Sequence, residues 1–313
     1  MAVVVTGAAG FIGAHLVRLL AGRGHRVVTI DRRPDAPTGA SIHLVADLPD
    51  DDHDSSVSDA LRAADAVFHL AGRAGVRDTS PDREWLRYRN NVLAAEWVLG
   101  TVPPGVPVVV ASSSSVYGGA LHGGRLRPSA ETDRLQPRGG YARSKVELER
   151  RCWQRAAAGG LVAVARPFTV AGEGQRPDMA IARWLAAVRR GQPIRILGGP
   201  DRTRDVTDVA DVAYGLVCMA EAGATGAVNL GTGVGHRLGD LAATVGAAVG
   251  HQPRLVIEPA SPAEPVATLA DTRRCRWLLG FVPVTDLAAL IARQAAAAPA
   301  PAESSGAALA ATP

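Results

Sequence analysis

At 313 residues with 47% apolar side chains, the chain can build one large α/β domain with a smaller lobe. A formal net charge of +4, aromatics at 4%, no block of five like charges and no basic–aromatic interleaving leave a nucleic-acid surface unsupported. No apolar run reaches the roughly 18 residues of a membrane span. Three scattered cysteines (Cys152, Cys218, Cys275), with no Cys-x-x-Cys and no nearby His pair, read as buried thiols in a reducing compartment and offer no metal site.

The first expected strand, residues 2–6, runs straight into Gly7-Ala-Ala-Gly10-Phe-Ile-Gly13 and an amphipathic helix over 11–21. Gly7 permits a tight turn, Gly10 lets backbone approach a pyrophosphate, and Gly13 lets the helix pack on the strand. The helix N-terminus offers free N–H groups and a positive dipole end to phosphates. A strand at residue 2 leaves no room for a signal peptide, so a cytoplasmic protein is expected. The second strand, 26–30, delivers Asp31. An acid there accepts hydrogen bonds from an adenosine ribose diol and favours NAD, whereas Arg32 and Arg33 beside it would welcome the 2′-phosphate of NADP. The third strand, 42–46, ends at Asp47-Leu48, placed to touch an adenine edge or simply to turn the chain.

Strands over 66–70, 107–111 and 161–165 and helices over 84–100 and 141–158 continue the alternation. Short apolar strands spaced by helices describe a doubly wound parallel sheet covered on both faces. Past residue 166, Pro and Gly become frequent, and shorter strands (194–197, 227–230, 254–257) mark a smaller C-terminal lobe, 167–294, at the sheet's carboxyl edge. Residues 295–313, rich in Ala, Pro and Ser, read as a loose tail.

One residue stands out inside the helix over 141–158. Lys145 is the only lysine; the other 33 of the 34 Lys and Arg side chains are arginines. A compact ammonium with steerable donors is not interchangeable with a flat guanidinium. Tyr141 lies four positions before it, on the same helix face. A cation beside a phenol lowers a pKa of about 10 and makes a general base of it. Tyr-x-x-x-Lys also arises by chance on surface helices, so its company decides.

That company is Thr6-Gly-Ala-Ala-Gly-Phe-Ile-Gly13, His69-Leu-Ala-Gly-Arg-Ala-Gly-Val-Arg77, Ser112-Ser-Ser-Ser-Val-Tyr-Gly118 and Tyr141-Ala-Arg-Ser-Lys145. Over about residues 1–285 the chain resembles the extended short-chain dehydrogenase/reductases, in their sugar-nucleotide epimerase branch. The resemblance implies a Rossmann domain over 1–166 holding NAD, and a lobe holding a nucleoside-diphosphate sugar. It implies a homodimer built on helices 84–100 and 141–158. It adds Phe11, Ile12, Leu70 and Ala71 to the cofactor contacts and brings Tyr141 and Lys145 to the nicotinamide end, with Lys145 on its ribose. Ser113, three residues before Val-Tyr-Gly, would hold the reacting sugar oxygen while Tyr141 removes its proton. The NAD would be regenerated each turnover and stay tightly bound.

Family dehydratases carry an Asp-Glu pair just after the catalytic Ser/Thr. Here Ser114 and Ser115 stand there, so elimination is not expected and both become substrate contacts. The loop after the fourth strand is similar to that of the 4-epimerases rather than the decarboxylases. Thr169, with Gly174-Gln-Arg-Pro-Asp-Met-Ala180, looks like the UDP-glucuronate 4-epimerases, in which this Arg (here Arg176) faces the sugar carboxylate. The alternative is that Arg176 holds its own loop through Asp178. Arg204-Asp205 resembles the pair whose Arg grips the diphosphate. A second phosphate-binding Arg of glucose epimerases is missing, the stretch reading Ser261-Pro-Ala-Glu264. Arg166-Pro167 and Val170-Ala-Gly-Glu173 depart from the family at the sugar site. The expectation is an NAD-dependent UDP-glucuronate 4-epimerase. UDP-glucose or UDP-N-acetylhexosamine epimerisation, net reduction with cofactor release, and a non-catalytic NAD(P)-binding protein are the alternatives.

Overall fold

The computed structural model describes residues 1–48, 55–75 and 80–297. Val76 and Arg77 of the 69–77 motif, and the tail from residue 298, lie outside the described residues.

The chain opens with β1 (Ala2–Thr6), α1 (Phe11–Gly22), β2 (Arg26–Asp31) and β3 (Ile42–Val45). Then come α2 (Ser55–Arg62), β4 (Ala66–His69), α3 (Arg83–Arg87), a π-helical segment (Tyr88–Leu93), α4 (Ala94–Thr101) and β5 (Val108–Ala111). A 3-10 turn (Ser114–Tyr117), the hairpin of β6 (Leu121–His122) and β7 (Arg125–Leu126), α5 (Gly139–Ala157) and β8 (Val162–Pro167) follow. Next are β9 (Thr169–Ala171), α6 (Ala180–Arg189), β10 (Ile194–Leu197), β11 (Thr203–Asp208), α7 (Val209–Glu221) and β12 (Gly226–Leu230). The last elements are β13 (Gly235–Arg237), α8 (Leu238–Val249), β14 (Leu255–Glu258), α9 (Arg273–Leu279) and α10 (Leu287–Ala297).

Seven strands form one parallel sheet in the order β12-β8-β5-β4-β1-β2-β3. Because side chains alternate across a strand, β1 serves both faces. Val3 and Val5 pack with Leu16, Leu20, Leu216 and Met219 of α1 and α7. Val4 packs with Leu61, Val98 and Leu148 of α2, α4 and α5. Strand order reverses between β1 and β4, which opens a crevice at the carboxyl ends of those two strands.

The smaller lobe has two sheets, β13-β11-β9 and β10-β14. Trp184, Leu185, Ile194, Ile196, Leu241 and Leu290 form its core. One element crosses the expected division at 166. Residues 227–230, read from sequence as part of the lobe, belong to β12, the edge strand of the main sheet beside β8. A short apolar strand carries no local mark of which sheet will take it. Residues 295–297, assigned to the tail, are the last turn of α10, with Ala295 in the lobe core.

The helix expected over 84–100 is interrupted by the π-helical segment, which buries Asn90 and Asn91. Such wide turns are frequent at functional sites. Where α4 ends, the Arg155 guanidinium of α5 donates to the carbonyls of Leu99 (2.6 Å), Val102 (2.8 Å) and Pro103 (2.8 Å). Orphan helix carbonyls are satisfied this way by a neighbouring cation.

Candidate active site

The glycine loop fills the crevice between β1 and β4. Gly7 adopts φ +68°, and a Cβ there would lie 2.5 Å from the Ala71 nitrogen. A Cβ on Gly13 would lie 2.3 Å from the Gly7 carbonyl oxygen. Both glycines are therefore required for packing, as expected for a loop that hugs a pyrophosphate. Gly10 caps α1 with backbone alone and no side-chain hydrogen bond. The amides of Phe11, Ile12 and Gly13, which lack intrahelical acceptors by geometry, remain to serve an anion. Leu70 donates its N–H to the Thr6 carbonyl (3.1 Å) and Ala71 donates to the Thr6 hydroxyl (3.3 Å), fixing the other wall.

Asp31 accepts from the backbone N–H of Ala9 and of Arg33, both at 3.0 Å. It thus fastens the glycine loop to the end of β2, and two oxygens with about four lone-pair sites leave capacity for a ribose diol. Asp47 accepts from Arg89 Nη1 at 3.0 Å, an ion pair the sequence did not suggest. Leu48 is buried in the core beneath it. The cradle, the uncapped helix end and the Asp31 carboxylate fit a dinucleotide.

The catalytic candidates converge at the ends of β5 and α5. Ser113 caps the 3-10 turn, its hydroxyl accepting from the Ser115 N–H at 3.1 Å. The same side chain hydrogen-bonds Tyr141. Burial raises the Tyr141 phenol above its ordinary value, against the opposing pull of the Ser113 hydrogen bond and the Arg176 charge. Lys145 is not among the groups acting on the phenol. The Lys145 ammonium donates to the Ala111 carbonyl at 2.8 Å, at the end of β5. Burial brings Lys145 down to about 8, with the Glu149 carboxylate working the other way. It still carries its proton at neutral pH.

Two side chains unforeseen from sequence complete this wall. Asn91, in the π-helical segment, accepts from the Arg73 N–H (2.7 Å) and donates to Ser144 Oγ (2.9 Å), which donates to the Tyr141 carbonyl (2.8 Å). It ties the loop after β4 to the catalytic helix. His69 is fully buried, its Nδ1 2.8 Å from Thr6 Oγ1, and burial drives it down to about 3, so it is neutral.

Arg176 sits on the loop between β9 and α6. Gly174 of that loop comes against Phe11, and the Glu173 carbonyl accepts from His15 Nε2 at 2.9 Å. The loop thus overhangs the start of α1. Arg176 forms a two-pronged pair with Asp178, Nε–Oδ1 at 2.9 Å and Nη2–Oδ2 at 2.5 Å, while its charge reaches Tyr141. The pair with Asp178 is the contact that the alternative reading of Arg176 expected. Thr169 begins β9, in register with Val206. Ser114 and Ser115 form the first half of the 3-10 turn. Arg204, on β11, donates to Glu264 Oε1 at 3.0 Å and to the Thr203 carbonyl at 2.9 Å, so the departure at 261–264 places a carboxylate on the expected diphosphate ligand. Its neighbour Asp205 is buried and accepts from the N–H groups of Thr232, Gly233 and Ala270 and from the Thr232 hydroxyl. Among the described residues no cluster of His, Cys, Asp and Glu could hold a metal ion, and no helix is long and apolar enough to cross a membrane.

Comparison with known proteins extends these observations. Residues 3–231 match the profile described as the NAD dependent epimerase/dehydratase family. MoeE5, solved with UDP-glucuronic acid and NAD, is 37% identical, with 95% of this chain and 98% of that one covered and a TM-score of 0.84. The same protein has been solved with UDP-glucose and NAD. A UDP-glucose 4-epimerase of Azospirillum brasilense is 30% identical over 91% of this chain and 88% of its own. A UDP-glucuronate 4-epimerase of Thermodesulfobacterium geofontis is 31% identical over 74% of this chain and 75% of its own.

Proposed function

This chain belongs to the NAD dependent epimerase/dehydratase family, and from that membership we propose that it is a UDP-sugar 4-epimerase converting UDP-glucuronate to UDP-galacturonate. The observation that carries the choice of sugar is the Arg176 charge acting on the Tyr141 phenol. It supports a role for the guanidinium near the reacting end of the sugar, where it would pair a uronate carboxylate.

NAD, which the Gly7–Gly13 loop and Asp31 would hold, would supply the acceptor for the C4 hydride and its return to the opposite face. Tyr141 takes the O4 proton and later gives it back. Ser113, already hydrogen-bonded to Tyr141, holds O4. Lys145, buried and cationic at neutral pH, holds the nicotinamide ribose. The 4-keto uronate so formed is a β-keto acid, prone to lose carbon dioxide when the breaking C–C bond aligns with the carbonyl π system. Arg176 holding the carboxylate out of that alignment would protect the product. The absence of carboxylates at Ser114 and Ser115 supports epimerisation over elimination, for want of an acid/base pair to expel water.

A second reading, UDP-glucose as substrate, is favoured by the Arg176–Asp178 pair, which leaves the guanidinium already neutralised. A homodimer through α4 and α5 belongs to the same proposal and is checked by sedimentation. The deciding experiment is proton NMR of UDP-glucuronate with the purified protein and no added cofactor. UDP-galacturonate signals with C6 retained support the proposal. Conversion of UDP-glucose alone retires Arg176 as a carboxylate ligand, and no conversion of any UDP-sugar rejects the reaction.

A further inference from the structure

Tyr141, Lys145 and Glu149 recur every four residues along one face of α5. That face meets three consecutive residues at the end of β5. Tyr141 hydrogen-bonds the Ser113 side chain, Lys145 donates to the Ala111 carbonyl at 2.8 Å, and Ser112 Oγ donates to Glu149 Oε1 at 2.6 Å. The third contact has no place in the mechanism above, yet it is the most deeply buried. Glu149 is 0% and Ser112 4% exposed.

Glu149 is also fixed from behind. Arg166 of β8, 3% exposed, donates Nε to Oε1 at 2.9 Å and Nη2 to Oε2 at 2.6 Å. Its Nη1 donates to the Tyr117 hydroxyl at 2.8 Å, and that hydroxyl donates to Asn229 Oδ1 of β12 at 2.7 Å. The Ser112 N–H is held by the Ala165 carbonyl at 2.8 Å. One buried chain of hydrogen bonds therefore links the catalytic helix, the catalytic strand end and the next two strands of the sheet, β8 and β12. A buried ion pair is costly unless its geometry and remaining hydrogen bonds are satisfied, and here both carboxylate oxygens are.

We propose that Ser112, Glu149 and Arg166 are positioning residues for the redox step, setting the height of α5 against β5 and so the places of Ser113, Tyr141 and Lys145. None touches substrate; each acts through its neighbour. Glu149 has an electrostatic part as well. The groups that act on Lys145 are Glu149 and Cys152 from its own helix and His69 from β4, with the Ala111 carbonyl from β5 and the Asn91 amide near Gly72. Arg166 stands beyond Glu149. His69 is neutral, and burial holds the Cys152 thiol up and un-ionised. Glu149 is the one anion in this set, and it favours the ammonium.

The inference rests on the epimerase reading for its kinetics, but the single lysine gives a readout free of it. Protein labelled with ¹⁵Nζ-lysine has one side-chain ammonium resonance, that of Lys145, and its titration needs no substrate. The expected wild-type midpoint lies near 8, and Glu149→Gln moves it lower. In case Glu149→Gln does not fold, Ser112→Ala carries the kinetic test, because it deletes one hydrogen bond and leaves Glu149 paired to Arg166. With a UDP-sugar that the wild type turns over, Ser112→Ala should lower kcat about tenfold, short of the roughly 100-fold cost of a 1 Å misplacement. KM, bound nucleotide and melting temperature should stay put, and Ser112→Thr, which keeps the hydroxyl, should recover the rate. An unchanged kcat in Ser112→Ala, a loss confined to KM or melting temperature, or an unmoved Lys145 midpoint in folded Glu149→Gln would overturn the proposal. A wild type that turns over no UDP-sugar would instead reject the epimerase reading, while the Lys145 midpoint still tests the role of Glu149.

Discussion

Replacing Lys145 by Met should stabilise the fold while abolishing activity. Burial lowers the lysine from 10.5 to about 8, which at 1.36 kcal/mol per pH unit corresponds to roughly 3 kcal/mol charged against the folded ammonium. Met keeps much of the apolar stem and carries no charge. It strands the Ala111 carbonyl, whose partner is Lys145 at 2.8 Å, at a cost of about 1 kcal/mol. The balance is a gain of about 2 kcal/mol, or about 4 °C in Tm for a chain of this size. The sign with pH follows from proton binding. Between about 8 and 10.5 the unfolded lysine holds a proton that the folded one has lost, so wild-type stability rises with pH across that window. The advantage of Lys145→Met should therefore be complete below pH 8 and fade toward pH 10.5. Urea unfolding of both proteins at pH 7 and pH 10, after removal of bound nucleotide, measures it; bound nucleotide would stabilise by mass action. A Met variant less stable than wild type at pH 7, or a gap that does not narrow at pH 10, would refute the reasoning.

Gly13→Ala places a methyl 2.3 Å from the Gly7 carbonyl oxygen and 2.8 Å from the Ala8 Cα; the protein should purify with its nucleotide lost, seen as a fall in the 260/280 nm absorbance ratio. Asp205→Ala leaves four donors on Thr232, Gly233 and Ala270 without their acceptor, which should cost more than about 3 kcal/mol in denaturant unfolding.

Features whose cause is local were legible in the sequence. The glycine loop is strand, turn and helix in succession, and its steric demands lie within a few residues. Tyr141 and Lys145 share a face because helix geometry puts them there. What escaped prediction depends on partners distant in the chain. Glu149 continues the same spacing, but its meaning comes from Arg166 on β8 and Ser112 on β5. Asn91 matters because a π-helical segment turns it toward Arg73 and Ser144. The partner of Lys145 escaped too, because sharing a face does not say which way an ammonium turns, and the Ala111 carbonyl takes it. Glu264 opposite Arg204 could be seen as a departure from the family, though not as an ion pair.

The position of β12 bears on how this protein can be divided. Its residues pair with β8 from Gly226↔Ala163 to Leu230↔Pro167, and the Phe168 N–H reaches the Leu230 carbonyl at 2.9 Å. The sheet's outermost strand is thus supplied by chain that has already passed through the lobe. A fragment truncated at residue 166 would present β8 as a bare apolar edge, open to pairing with other chains. The nucleotide half is consequently not a severable module. It cannot complete its sheet on the ribosome until residue 230 has emerged, after β9, α6, β10 and β11 of the lobe, and recombination that exchanges lobes between relatives must take account of this strand.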